Sequence, residues 1–197
     1  MKKEGFGMVE FSLDLKSYYK LAELHERNNQ RTSKDNWFAT SETVFKNQGV
    51  HTKDDFIKVI AFAYSWMPTI PKLIGDIDWN TVHPMLIQLQ QGDLTGRHEL
   101  LSIIVPYINN SEVGTSKVLH FIAPNHVPII DSRVLNTWFA LFQKSYKLKK
   151  TANDVNEKIN RYINYWDYLN IWIKNINGMV TIRELEGMLY GINGNVS

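Results

Sequence analysis

Between positions 153 and 175, aromatic and apolar side chains return every three or four residues: Tyr162, Tyr165, Trp166, Leu169, Trp172 and Ile173. That interval matches the 3.6-residue turn of an α-helix, so the segment reads as one long helix with a packing stripe along one side. The same period dominates the rest of the chain. It predicts helices over 14–28, 81–91, 96–108, 132–146 and 182–192, and a short helix opening at Ser41 and stopping near Gly49. Thr52 is placed to cap another helix, with Asp54 and Asp55 in its first turn complementing the helix dipole. That helix carries Phe56, Ile57, Val59, Ile60, Phe62, Ala63 and Tyr64 and should be buried on most sides. Met67-Pro68-Thr69-Ile70-Pro71 breaks it and makes a crossover. Positions 74–79 are the only plausible strand material. The expected fold is mostly α. It is either one compact helical domain over 1–197 or two helical lobes with segment 108–146 at their junction.

Composition sets the outer limits. The chain has 197 residues, 44% hydrophobic and 21% charged, enough apolar side chain for a real core. Its formal charge is +2, so global charge does not announce a nucleic-acid binder, although a local basic face still can. There are no cysteines, which removes disulfides, thiolate zinc sites, iron–sulfur clusters and a cysteine nucleophile. The first residues lack a sustained apolar run, so no signal peptide is expected. No stretch reaches the roughly 18 apolar residues of a membrane span. These readings point to a soluble, cytoplasmic protein with no membrane partner. The oligomeric state is left open. The histidines show no His-x3-His spacing with an acidic ligand, so no metal and no cofactor are expected.

The chemistry-bearing segment begins at Val113-Gly114-Thr115-Ser116-Lys117. Gly114 suits a turn, and Thr115 or Ser116 can cap a helix opening there. The free N–H groups of such a helix start form an anion site suited to a DNA phosphate. Lys117 would lie in the first turn, where a partly desolvated amine can attack a carbonyl-like carbon. Fourteen residues later Pro128-Ile129-Ile130-Asp131 leads into the next helix. Asp131 reads as an N-cap whose carboxylate bonds the N–H of residue 133 or 134. A capping carboxylate is also held rigid and ionised, as a group must be that stabilises a cationic sugar or activates a water. Lys144 and Lys147, in the run that ends at Lys150, are either a solvated helix end or phosphate contacts. Trp37, beside Phe38 in a polar stretch, suits an exposed contact with a base, and His120, one turn after Lys117, can line the same site or be a satisfied core histidine.

The order Gly114-Thr-Ser-Lys117-Val118, then Pro128-Ile-Ile-Asp131-Ser-Arg-Val134, resembles the Gly/Pro-and-Asp motif of the helix-hairpin-helix DNA glycosylases. The resemblance covers some 30 to 40 residues. It implies a two-lobed helical domain in which Gly114 is the hairpin glycine, Lys117 the Schiff-base lysine, Pro128 the motif proline and Asp131 the catalytic aspartate. Only one glycine is present where the family hairpin usually has two, Glu112 falls near the expected phosphate, and the Lys-to-Asp interval is about four residues shorter than usual. The implied activity is base excision from double-stranded DNA by nucleotide flipping, with abasic-site lyase activity if Lys117 attacks the sugar. The implied contacts are Gly114, Thr115, Ser116, Lys144 and Lys147 to DNA, and Trp37 and His120 to the base. The alternative is a non-catalytic helical domain that binds DNA or another protein and keeps the fold without the chemistry.

Overall fold

The structure is a computed structural model that describes residues 11–29, 49–65 and 67–196. Among these residues there are eight helices and no strand: α1 (Leu15–Asn29), α2 (Lys53–Tyr64), α3 (Trp79–Gln90), α4 (Arg97–Tyr107), α5 (Glu112–Ile122), α6 (Ser132–Leu141), α7 (Val155–Asn175) and α8 (Ile182–Ile192). Trp37 and the short helix expected at Ser41 lie outside the described residues. No helix among the described residues is long and apolar enough to cross a membrane.

Local chemistry explains most helix starts. Thr52 accepts from the Asp55 N–H at 3.1 Å and Asp55 returns a bond to the Thr52 N–H at 3.1 Å, a reciprocal capping box. Thr181 and Glu184 repeat the device at the start of α8. Two boundaries differ from the sequence expectation. Positions 74–79 form no strand; one isolated bridge joins Leu73 to Ile108, and α3 already starts at Trp79. Asp78 is the cap there, accepting from the Asn80 N–H at 3.1 Å and the Thr81 hydroxyl at 2.7 Å. The helix expected to reach residue 146 stops at Leu141. Side-chain bonds to the following loop win: the Trp138 indole N–H donates to the Tyr146 carbonyl at 2.8 Å, and the Gln143 amide clasps both the N–H and the carbonyl of Leu148. These bonds turn the chain back on itself, which a continuing helix could not do.

The helices pack in two groups. α2 packs on α5, while α4 touches both α3 and α5; separately, α8 packs on α1 and α6. The 21-residue α7 touches α4, α5 and α8 and so joins the groups. Its aromatic stripe does what the spacing predicted: Tyr162, Tyr165, Trp166, Leu169 and Trp172 are all fully buried. Trp138 of α6 stacks on Tyr168 at 5.6 Å and meets Tyr165 edge-on at 5.5 Å, so the aromatic side chains interlock α6 with α7. One contiguous hydrophobic core runs through both groups.

Candidate active site

Helices α4 and α5 form a hairpin. The turn between them, Ile108 to Ser111, holds Asn109 and Asn110 in the left-handed region, at φ 58° and 50°. Asparagine tolerates that region better than any residue except glycine, which accounts for two consecutive asparagines here. The side chain of Asn109 also ties the hairpin to the crossover after α2. Its Oδ1 accepts from the Lys72 N–H at 2.8 Å, and its Nδ2 donates to the Ile70 carbonyl at 3.3 Å. Ser111 then caps α5, accepting from the Gly114 N–H at 3.0 Å.

This geometry corrects the placement of Gly114, Thr115 and Ser116. Gly114 is the third residue of α5, not a turn residue. It is glycine because α2 comes close: a Cβ there would lie 2.2 Å from the Tyr64 hydroxyl oxygen. Thr115 and Ser116 are fully buried within the helix and cannot reach DNA with their side chains. The expected anion site at a helix start on these residues is therefore absent. Lys117 stands in the second turn of α5 rather than the first, half-buried.

Ser116 has a different task. Its hydroxyl donates to the Val113 carbonyl at 2.9 Å and accepts from the Ile130 N–H at 3.2 Å. The Tyr162 hydroxyl donates to the Pro128 carbonyl at 2.8 Å. Together they pin the buried extended segment before Asp131 against α5 and α7. Asp131 follows with φ −149° and caps α6, its Oδ1 accepting from the Val134 N–H at 3.0 Å. The residue clipped by Ser116 immediately precedes Asp131, and the residue after Ser116 is Lys117. One hydroxyl thus ties together the two chain segments that carry Lys117 and Asp131.

Lys117 and Asp131 line one cleft of about 550 Å³. Its walls come from the end of α2 and the following loop (Tyr64, Met67, Pro68), the hairpin turn, the first turns of α5 and α6, and Lys158 of α7. Glu112 also lines it, but its carboxylate is paired with Arg161, both side chains being at least nine-tenths buried. Arg161 further donates to the carbonyls of Lys149 and Lys150, at 3.3 and 3.0 Å. Removing one partner of such a buried pair typically costs ~3–5 kcal/mol, so this contact holds α5, α7 and the loop before α7 together. With Glu112 neutralised, the charges left in the cleft are Lys117 and Lys158 against Asp131. Lys158 donates to the Asn110 carbonyl at 2.9 Å and so braces the hairpin turn as well.

The other expected contacts do not converge here. His120 is fully buried, with Nδ1 2.7 Å from the Val127 carbonyl, so it is not a wall of the cleft. Lys144 and Lys147 are exposed beyond the end of α6, and neither lines the cleft. A second depression of about 600 Å³ lies around Asp93, Arg97 and His98. Its charged groups are already committed: Asp93 accepts from the N–H and hydroxyl of Thr95, and Arg97 pairs with Asp167. Among the described residues no three His, Asp or Glu side chains are grouped to hold a metal ion. Sequence reasoning missed Tyr64, Asn109, Asn110 and Lys158. Only the Asn-Asn pair carried a local signal, because it is a turn pair wherever it occurs.

Comparison with known protein families, with curated proteins and with solved structures found no match to this chain.

Proposed function

We propose that the chain is a DNA base-excision enzyme, an N-glycosylase with abasic-site lyase activity. One observation carries the reading: an amine and a helix-capping carboxylate, Lys117 and Asp131, face one cleft at the end of a helix hairpin. The cleft volume is of the size that ligand sites commonly have. A duplex hides the glycosidic bond, so the target nucleotide must swing out of the stack to reach these groups. As the bond from the sugar C1′ to the base nitrogen breaks, its electrons leave with the base and positive charge develops on the sugar. The carboxylate of Asp131, held by the Val134 N–H, stabilises that charge. In the hydrolytic course a water adds to C1′ and its proton passes to the departing base, which left with the bonding electrons. In the lyase course the amine of Lys117 adds to C1′ as the base departs, a proton passes from its nitrogen to O4′ as the ring opens to a protonated Schiff base, and loss of a C2′ proton to the departed base or to water, with cleavage of the bond from C3′ to the phosphate oxygen, cuts the strand. Among the described residues no carboxylate pairs with Lys117, which leaves the amine available for this role.

The rim supports a duplex as the partner. Ile70 is 87% exposed in the loop after α2, and the hairpin holds its backbone through Asn109. A stiff apolar side chain beside a cleft suits the space that a displaced base leaves in the stack.

The test is borohydride trapping on duplexes that carry an abasic site or one of a panel of modified bases. Wild-type protein is expected to form a covalent adduct that Lys117→Gln abolishes. Base release is expected to persist in Lys117→Gln and to drop at least ~100-fold in Asp131→Asn. Duplex binding with neither adduct nor base release from any substrate would favour the non-catalytic DNA-binding domain.

A further inference from the structure

The two sides of the cleft differ in chemistry. Its charged groups come from α5, the start of α6 and α7: Lys117, Asp131 and Lys158 are the ones without a buried counter-charge described above. The opposite wall, at the end of α2, is uncharged. Tyr64 is the last residue of α2, and the Met67 N–H donates to its carbonyl at 3.0 Å, which keeps Met67 and Pro68 beside it on the cleft lining. Among the described residues Tyr64 is the one aromatic side chain that lines the cleft. A nucleotide turned out of a duplex has the same division. Its sugar and phosphate are polar and charged, while its base offers a flat face to aromatic or apolar side chains and an edge of hydrogen-bonding atoms.

The Tyr64 hydroxyl is set against α5 at a cost to that helix. A Cβ at position 114 would overlap its oxygen, so α5 carries a glycine in its interior, where glycine is among the poorest helix formers. Residues 114 and 117 are one turn apart and share a face of the helix. The hydroxyl therefore lies about one turn from Lys117, on the face of α5 from which that side chain projects. Its neighbours in the hairpin are Asn109 and Ser111, and both act on the hydroxyl. Ser111 Oγ already accepts the Gly114 N–H at 3.0 Å, and Asn109 Oδ1 accepts the Lys72 N–H at 2.8 Å. Each still has a hydrogen to offer the Tyr64 oxygen, which leaves the hydrogen of Tyr64 for a group inside the cleft. Burial pushes the Tyr64 hydroxyl above the ordinary tyrosine value, so it stays protonated at neutral pH and acts as a donor.

We propose that Tyr64 is the specificity-determining residue of the cleft: its ring packs with Met67 and Pro68 against the extruded base, and its hydroxyl donates a hydrogen bond to an acceptor on the edge of that base. The identity of the ligand rests on the base-excision reading, which this proposal narrows. A carbonyl oxygen on the base satisfies the hydroxyl, whereas an exocyclic amino group in the same place meets it donor to donor. The favoured substrates are then bases that carry a carbonyl where the ordinary base carries an amino group. A site built around one hydrogen bond discriminates because the wrong partner leaves a buried polar group unpaired.

The test compares the full chain with Tyr64→Phe, which removes the hydroxyl and keeps the ring. The probes are duplexes of one sequence that carry uracil or cytosine, and hypoxanthine or adenine, at the target position, each on a 2′-fluoro sugar so that the glycosidic bond survives. Fluorescence anisotropy reads the affinity ratio of the carbonyl to the amino member of each pair. The cost of opening the duplex is the same for both proteins, so a change in the ratio reports the contact. In at least one pair wild-type protein is expected to favour the carbonyl member, and Tyr64→Phe is expected to lower that ratio by roughly fivefold to tenfold, the worth of one neutral hydrogen bond. Ratios that Tyr64→Phe leaves unchanged in both pairs overturn the proposal, and an equal weakening of all four duplexes marks the hydroxyl as a brace of the hairpin and overturns it too. Base release is then followed on the same duplexes with ordinary sugars. A ratio that falls while neither protein releases a base defeats the base-excision reading and upholds Tyr64 as the reader of the base. Release from wild-type protein with ratios indifferent to Tyr64→Phe upholds that reading and overturns the role of Tyr64. Should Tyr64→Phe fail to fold, Met67→Ala trims the same wall. It is expected to weaken base-bearing duplexes more than one holding a tetrahydrofuran abasic analogue, and equal weakening overturns the assignment of that wall to the base.

Discussion

Gly114 shows how one residue can be recognised and still be misread. Its place before a lysine suggests a turn, and turns are where glycine is most often needed. In the folded chain it is helical, and its missing side chain is explained by Tyr64, fifty residues earlier. A Cβ at this position would meet Tyr64 Oη at 2.2 Å and Cζ at 2.9 Å. No local pattern encodes a contact of that kind, so it was not legible in the sequence. Asp131 was legible, because an N-cap depends only on its own carboxylate and the next three residues. Gly114→Ala should therefore destabilise the fold by ~1–3 kcal/mol, the usual range for overpacking. The cost should shrink in a Tyr64→Phe background, since the closest clashing atom is gone while the ring remains. Chemical denaturation of the four proteins in this cycle measures the coupling. Equal costs of Gly114→Ala in both backgrounds would show that Tyr64 is not the reason for the glycine.

At the level of elements, the helices were legible because their periodicity is local and strong, and because Thr52 marks one start by side-chain capping; Asp154 and Thr181 cap two more starts in the same way without having been singled out in the sequence. Boundaries failed where side-chain bonds to the loop backbone took over, as after Leu141, or where a nearer cap was present, as at Asp78. The hairpin belongs to neither case. Its turn was read four to five residues too late, on Gly114, because glycine is the more familiar left-handed residue. Asn109 and Asn110 take that conformation instead. They divide the labour: Asn109 uses its side chain on Ile70 and Lys72, while Asn110 contributes its carbonyl to Lys158. Only backbone preference then holds position 110. Asn110→Gly should leave stability unchanged within ~0.5 kcal/mol, whereas Asn110→Ala should lose ~1–2 kcal/mol, the cost of a Cβ in the left-handed region. Urea midpoints of the two variants separate them; an alanine variant as stable as the glycine one would show that the turn can relax to another conformation.

For the molecule as a whole, a formal charge of +2 hides how the charges are spent. Arg97, Lys149, Arg161 and Arg183 are matched by Asp167, Glu157, Glu112 and Glu186, and Lys53 is matched by Asp76. Around the hairpin the balance differs. Lys117 and Lys158 face the cleft, and Lys72 is exposed on the loop that Asn109 holds in place. A nearly neutral chain can thus present a local cationic edge, and under the base-excision proposal this edge is where a phosphate backbone would lie. This was hidden in the sequence because it depends on which acids are consumed elsewhere, a property of tertiary pairing. Duplex affinity should then fall with salt, and each lysine that contacts a phosphate should contribute ~0.9 to the slope of log affinity against log salt. Lys158→Gln and Lys72→Gln should each lower that slope by about one unit, and Lys149→Gln, whose charge is already matched by Glu157, should leave it near the wild-type value. Fluorescence anisotropy over a salt series reads these slopes directly. A slope unchanged by Lys158→Gln and Lys72→Gln together would remove the hairpin edge from the DNA path, and with it the route by which a flipped nucleotide reaches Lys117 and Asp131.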